Sequence, residues 1–127
     1  MAEKLDYIAI WKMVVAAIRV RIDEARREYG IDRQALTVDE QPARTVVILI
    51  RGEFAQARIS LAGDSIEIRR QRQPQGKFTD REPDEAIEIK EEHGQVVYLY
   101  DENERTTDPA RVAAWIVDPV IEHYRAA

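Results

Sequence analysis

Two histidines are the first residues to test for chemistry, because an imidazole titrates near neutral pH and serves as a general base or a metal ligand. His93 stands between Glu92 and Gly94 in a pattern that reads as a hairpin turn, and His123 stands beside Glu122 near the end of a helical pattern. Turn chemistry accounts for the first, and the attraction between a cation and a helix C-terminus accounts for the second. Neither has a partner at His-x-x-x-His spacing and the chain has no cysteine, so the residues point to no metal centre and no thiolate nucleophile. Ser60 and Ser65 fall on or beside strand patterns, outside any Gly-x-Ser-x-Gly turn. Carboxylates number 24, yet a catalytic pair needs a cleft and one raised pKa, and abundance supplies neither. A carboxylate enzyme helped by Tyr98 or Tyr100 is therefore the third-ranked reading, behind two non-enzymatic ones. The five glycines are scattered at turns and a cap, in no phosphate-cradling motif, and no cofactor is expected.

A second chemistry is anion binding. Arg69, Arg70, Arg72 and Lys77 lie in a stretch without an acid, with Phe78 beside them and Arg81 just beyond. Guanidinium groups near an aromatic ring are what a small anionic ligand, or a phosphate with a stacked base, would require. Two facts weigh against this reading. From Glu82 to Glu104 nine acids face Lys90 alone, so pairing of the flanking strands would set a basic strand beside an acidic one and compensate it by about 0.2–1 kcal/mol per pair. The formal net charge of −5 also argues against a general attraction to nucleic acid or to an anionic membrane.

The elements that must position these residues follow from periodicity. Ile8, Trp11, Val15, Ile18, Ile22, Ala25 and Tyr29 recur at alternating intervals of three and four, which predicts a helix over residues 3–29. Gly30 is placed to cap it in the left-handed conformation, with Arg26 and Arg27 in the last turn. Residues 31–43 read as a connector broken at Gln41-Pro42. Five strands follow. Residues 44–51 hold the apolar run Val46 to Ile50, expected to be covered on both faces. After a turn at Gly52-Glu53, residues 54–62 alternate, with Ala55, Ala57, Ile59 and Leu61 on one side. Gly63-Asp64 makes a hairpin turn into a strand carrying Ile66 and Ile68. A long loop over 73–84 precedes strands at 85–91 and 95–100, joined at His93-Gly94. A polar link over 101–107 leads to Asp108-Pro109, the N-cap and first position of a closing helix that carries a second proline at Pro119.

The expectation is thus one α+β domain over residues 1–127: a long N-terminal helix, a five-stranded antiparallel meander and a C-terminal helix, with both helices mainly on one face of the sheet. The run from Tyr7 to Ile18 is too short to span a bilayer and is interrupted by Lys12, so the chain reads as soluble, cytoplasmic and free of membrane contact. This same run is more apolar than one face against one sheet requires. Ile10, Met13, Val14 and Ala17 lie off the main stripe. They either meet the C-terminal helix or meet the same helix of a second chain in an isologous contact. The leading expectation is a non-enzymatic protein-interaction module that forms a homodimer through those four residues. A small-ligand or single-stranded nucleic-acid binder using Arg69, Arg70, Arg72, Lys77 and Phe78 is the alternative.

Overall fold

A computed structural model describes residues 5–50, 54–70, 82–101 and 103–126. The first helix, α1, runs Tyr7–Tyr29. Asp6 caps it by accepting a hydrogen bond from the Ala9 backbone N–H at 3.0 Å. Gly30 ends it at φ 63°, ψ 36°, its N–H turned back to the Arg26 carbonyl, as the left-handed cap requires. Ile31 follows the cap into the core.

The sheet has seven strands, not five: β1 Leu36–Gln41, β2 Thr45–Ile50, β3 Phe54–Ala62, β4 Ser65–Arg70, β5 Glu85–Glu92, β6 Gln95–Leu99 and β7 Arg105–Thr106. They lie side by side in chain order and every neighbouring pair is antiparallel. The two additional strands occupy the edges, in segments that read as a connector and a polar link. β1 is half polar because its outer edge and much of its surface meet water, and its last three residues are exposed. β7 is two residues long, too short to show a period. The turn between β1 and β2 holds Ala43 and Arg44 at positive φ (62° and 51°), so it lacks the glycine or asparagine by which such turns are usually recognised. Thr45 Oγ1 donates to the Ala43 carbonyl at 3.2 Å inside that turn. The turns at Gly63-Asp64 and His93-Gly94 fall where the glycines put them; His93 and Gly94 both have positive φ (52° and 79°). The expected turn at Gly52-Glu53 and most of the expected loop over 73–84 lie outside the described residues.

The second helix, α2, runs Pro109–Ala126 and passes through Pro119 without dividing. Asp108 caps it through a bond from the Ala110 N–H at 2.9 Å. The main core cluster joins Ile10, Val14 and Ile18 of α1, Val112, Ile116 and Val120 of α2, and one parity of the strands, including Ile48, Ile59, Ile66, Ile68, Ile87 and Tyr98. The strand register aligns these sheet residues across neighbouring strands, so they share one face. Residues of the other parity, among them Thr45, Val47, Arg58, Glu67, Arg69 and Val97, stand outside that cluster. Val47 and Val97 are nevertheless buried. The register gives Val47 the cross-strand neighbours Asp39 and Arg58, and gives Val97 the neighbour Lys90. Among the described residues, no helix is long and apolar enough to cross a membrane.

Candidate functional site

The excess apolar surface of α1 divides between the interior and solvent. Ile10 and Val14 are buried in the core cluster together with α2 residues, and α1 packs along α2. A second chain therefore cannot reach these two residues. Ala17 is half-buried, whereas Met13 is 56% exposed. What α1 turns to solvent is a different row. Ala9, Met13, Ala16 and Val20 are all exposed, at intervals of four, three and four that keep them on one side of a helix. Val20 is the most exposed large apolar residue in the row, at 58%. At the far end of α1, the Arg125 guanidinium lies 4.1 Å from the Tyr29 ring centroid, a cation–π contact that ties the ends of the two helices together.

The basic stretch is split by the strand period. Arg69 and Arg70 are adjacent in β4, so they point to opposite faces. Arg70 enters the interior, where it is 9% exposed. Its Nε and Nη2 bond both oxygens of Glu85, the second at 3.1 Å. Nη1 and Nη2 also donate to the carbonyls of Ile116 at 3.0 Å and Trp115 at 3.1 Å. The chemical reason lies four residues along the helix. Pro119 has no N–H, so the Trp115 carbonyl loses its helical donor, and the Arg70 guanidinium takes that place. Tyr100 completes the arrangement: its hydroxyl donates to Glu85 Oε1 and its ring meets Trp115 edge-on at 5.1 Å. Arg70 is therefore a structural clamp and not an anion contact on the surface. Arg69, on the other face, pairs with Glu67 at 3.6 Å. Arg72, Lys77 and Phe78 lie outside the described residues. β4 and β5 do pair, but their register runs from Ser65 to Ile68 and stops short of Arg69 and Arg70; Arg70 with Glu85 is an opposite-charge contact between the two strands.

Beside the clamp, a groove of about 480 Å³ runs along α2 between Tyr100, Trp115 and Arg111, with Asp101, Glu104 and Glu122 at its polar rim. Asp118, also on this groove, accepts a hydrogen bond from Arg21 Nε at 2.7 Å. That bond raises the Arg21 guanidinium pKa against the opposing effect of burial. Glu85, the carboxylate nearest the aromatic pair, already accepts from Arg70 and Tyr100, so its oxygens are committed to structure. Tyr98 lies in the core, where burial pushes its phenol pKa above the ordinary value. His93 and His123 are exposed, and Ser60 Oγ shares a hydrogen bond of 3.2 Å with Thr45 Oγ1. No group of three or more metal-ligating side chains occurs among the described residues.

The chain matches no protein-family model, no curated protein and no solved structure. Its functional reading rests on its own surfaces. Sequence reasoning missed the clamp, although Pro119 within a helical pattern announces a carbonyl in need of a donor. On α1, Ile10 and Val14 take the first of the two roles open to them, burial with α2, while Met13 is exposed.

Proposed function

We propose that this chain is a non-enzymatic protein-interaction module that self-associates through the outer face of α1. The observation that carries the reading is the exposed row Ala9, Met13, Ala16 and Val20. Small residues alternate there with large apolar ones, a pattern that lets a second helix approach closely and bury the large side chains. Of the four residues first expected at the contact, Met13 remains central and Ala17 lies at its border. The partner of first choice is a second copy, and another protein with an apolar helix is the alternative occupant. We also infer that both helices lie mainly over one face of the sheet, because their buried residues share a cluster with one strand parity alone. A cysteine-free chain suits the cytoplasm.

Sedimentation equilibrium at high micromolar concentration tests the association. A dimer that dissociates in the Met13→Glu, Val20→Glu double variant, with far-ultraviolet circular dichroism unchanged, is the expected result. A wild-type protein that stays monomeric overturns the reading. Val14→Asp is a control of opposite meaning. Val14 is fully buried, so a carboxylate there is expected to unfold the chain, at a cost of at least about 3 kcal/mol, instead of separating intact monomers.

The anion-binding alternative loses Arg70 to the clamp. It retains Arg69 and gains Arg58, which the register sets directly opposite Arg69.

A further inference from the structure

A pocket of about 390 Å³ opens between α1 and the edge strand β1. Arg19 and Arg26 line it from the helix, Arg33 from the turn that follows, and Thr37 from the strand. Ile22 and Val38 supply its apolar wall, and Asp23 is its one lining carboxylate. Three guanidinium groups thus meet one carboxylate in a concave place, in a chain whose net charge is −5.

The three arginines are not equivalent. Arg26 is fixed: its Nε donates to the Leu36 carbonyl at 3.0 Å and its Nη1 to Asp23 Oδ1 at 3.1 Å. Its Nη2 also donates to the Leu36 carbonyl at 2.5 Å and to the Arg33 carbonyl at 3.5 Å, so the guanidinium is held in a set orientation with one Nη1 N–H left for a ligand, which lowers the ordering cost of binding. Arg19 Nη2 reaches out to Glu40 at 2.6 Å, in a pair exposed to solvent on both sides and hence weak. The Arg33 side chain has no ion pair among the described residues and holds no part of the fold in place. Gathering like charges on low-dielectric walls concentrates positive potential. The pocket has the size of a small-ligand site, about 300–1,000 Å³. The nearby end of α1 is the negative end of its dipole, so attraction for an anion must come from the guanidinium groups themselves.

We propose that this pocket binds a small oxyanionic ligand, its phosphate or carboxylate oxygens held by Arg33 and Arg26 with Arg19 at the rim. The ligand's oxygens would accept charge-assisted, fork-like bonds from the guanidinium groups. The site does not use the exposed row Ala9, Met13, Ala16 and Val20, since none of those residues lines the pocket.

The test uses the full chain at constant ionic strength. Inorganic phosphate, pyrophosphate and citrate are titrated separately, with chloride as a control. Arginine Nε–Hε resonances are followed by nuclear magnetic resonance. Saturable shifts at Arg33, Arg26 and Arg19, with Arg58 and Arg111 unmoved, are expected for phosphate and pyrophosphate if the ligand is a phosphate, and for citrate if it is a carboxylate. Arg33→Ala is expected to weaken binding roughly tenfold while leaving the unfolding midpoint of the free protein unchanged. Three results would overturn the proposal: no saturable shift at concentrations on the order of 10 mM, shifts spread evenly over all arginines, or an Arg33→Ala variant that binds as tightly as the wild type.

Discussion

At two places in this molecule an arginine joins a helix to a strand through backbone carbonyls, and the two joints end in opposite conditions. At the first, Arg70 leaves β4 and reaches the Trp115 and Ile116 carbonyls of α2. At the second, Arg26 leaves α1 and reaches the Leu36 carbonyl of β1. In each case one acceptor stands where an ordinary backbone partner is missing or one-sided. Trp115 loses one to Pro119, and β1 is an edge strand whose outward carbonyls face no further strand. The first joint is closed. Glu85 neutralises the guanidinium, Tyr100 bonds Glu85, and the side chains of the ion pair are only 10% and 21% exposed. The second remains open, with further guanidinium groups around a cavity. A joint whose charges balance holds the fold together. A joint with charge left over can also receive a ligand.

The comparison can be broken most severely at the closed joint. Arg70→Ala leaves the half-buried Glu85 without its cation and the Trp115 carbonyl without a donor, and is expected to cost about 2–4 kcal/mol, read from urea unfolding midpoints. Adding Glu85→Leu should recover a large part of that loss, because the stranded charge is then gone; a double variant as unstable as Arg70→Ala alone would mean that the bonds to α2 dominate. Pro119→Ala comes next. It returns a helical donor to the Trp115 carbonyl, so it should stabilise the Arg70→Ala protein by about 2 kcal/mol and the wild type by clearly less. Additive effects in that double-mutant cycle would separate the proline from the arginine. At the open joint the stakes are lower. Arg26→Ala should cost about 1 kcal/mol, since water can replace its bonds to an edge strand. The smallest effect is Glu40→Gln, which should change stability by less than about 0.5 kcal/mol and yet strengthen pyrophosphate binding by freeing Arg19.

Much of this architecture could be read in advance, and the failures have identifiable causes. The Gly30 cap, the Gly63-Asp64 turn and the Asp108-Pro109 helix start are local signals that lie where their chemistry puts them, and the stripe on α1 is buried from Trp11 to Ala25, while Ile8 and Tyr29 at its two ends are exposed. β1 and β7 were not legible. Edge strands are held by pairing on one side only, so their residues need not alternate cleanly, and the Ala43-Arg44 turn adopts positive φ without the residues that favour it. The candidate sites were harder still. Val14 and Met13 are neighbours in sequence with similar apolar character, and only the position of α2 puts one inside and the other in water. Arg69 and Arg70 look alike in a basic run, and the strand period sends one to a half-buried ion pair on the far face and the other into the interior.

What the amino-acid order determined by itself was therefore local: where helices begin and stop, where the chain turns, and which residues alternate toward a core. Those features depend on capping, positive φ and apolar spacing within a few residues. Tertiary structure decided which charges are consumed. Arg70 and Glu85 are 15 residues apart, and Arg70 and Trp115 are 45 apart. Whether an arginine is a clamp or a ligand contact depends on what lies against it in space, and no spacing along the chain encodes that.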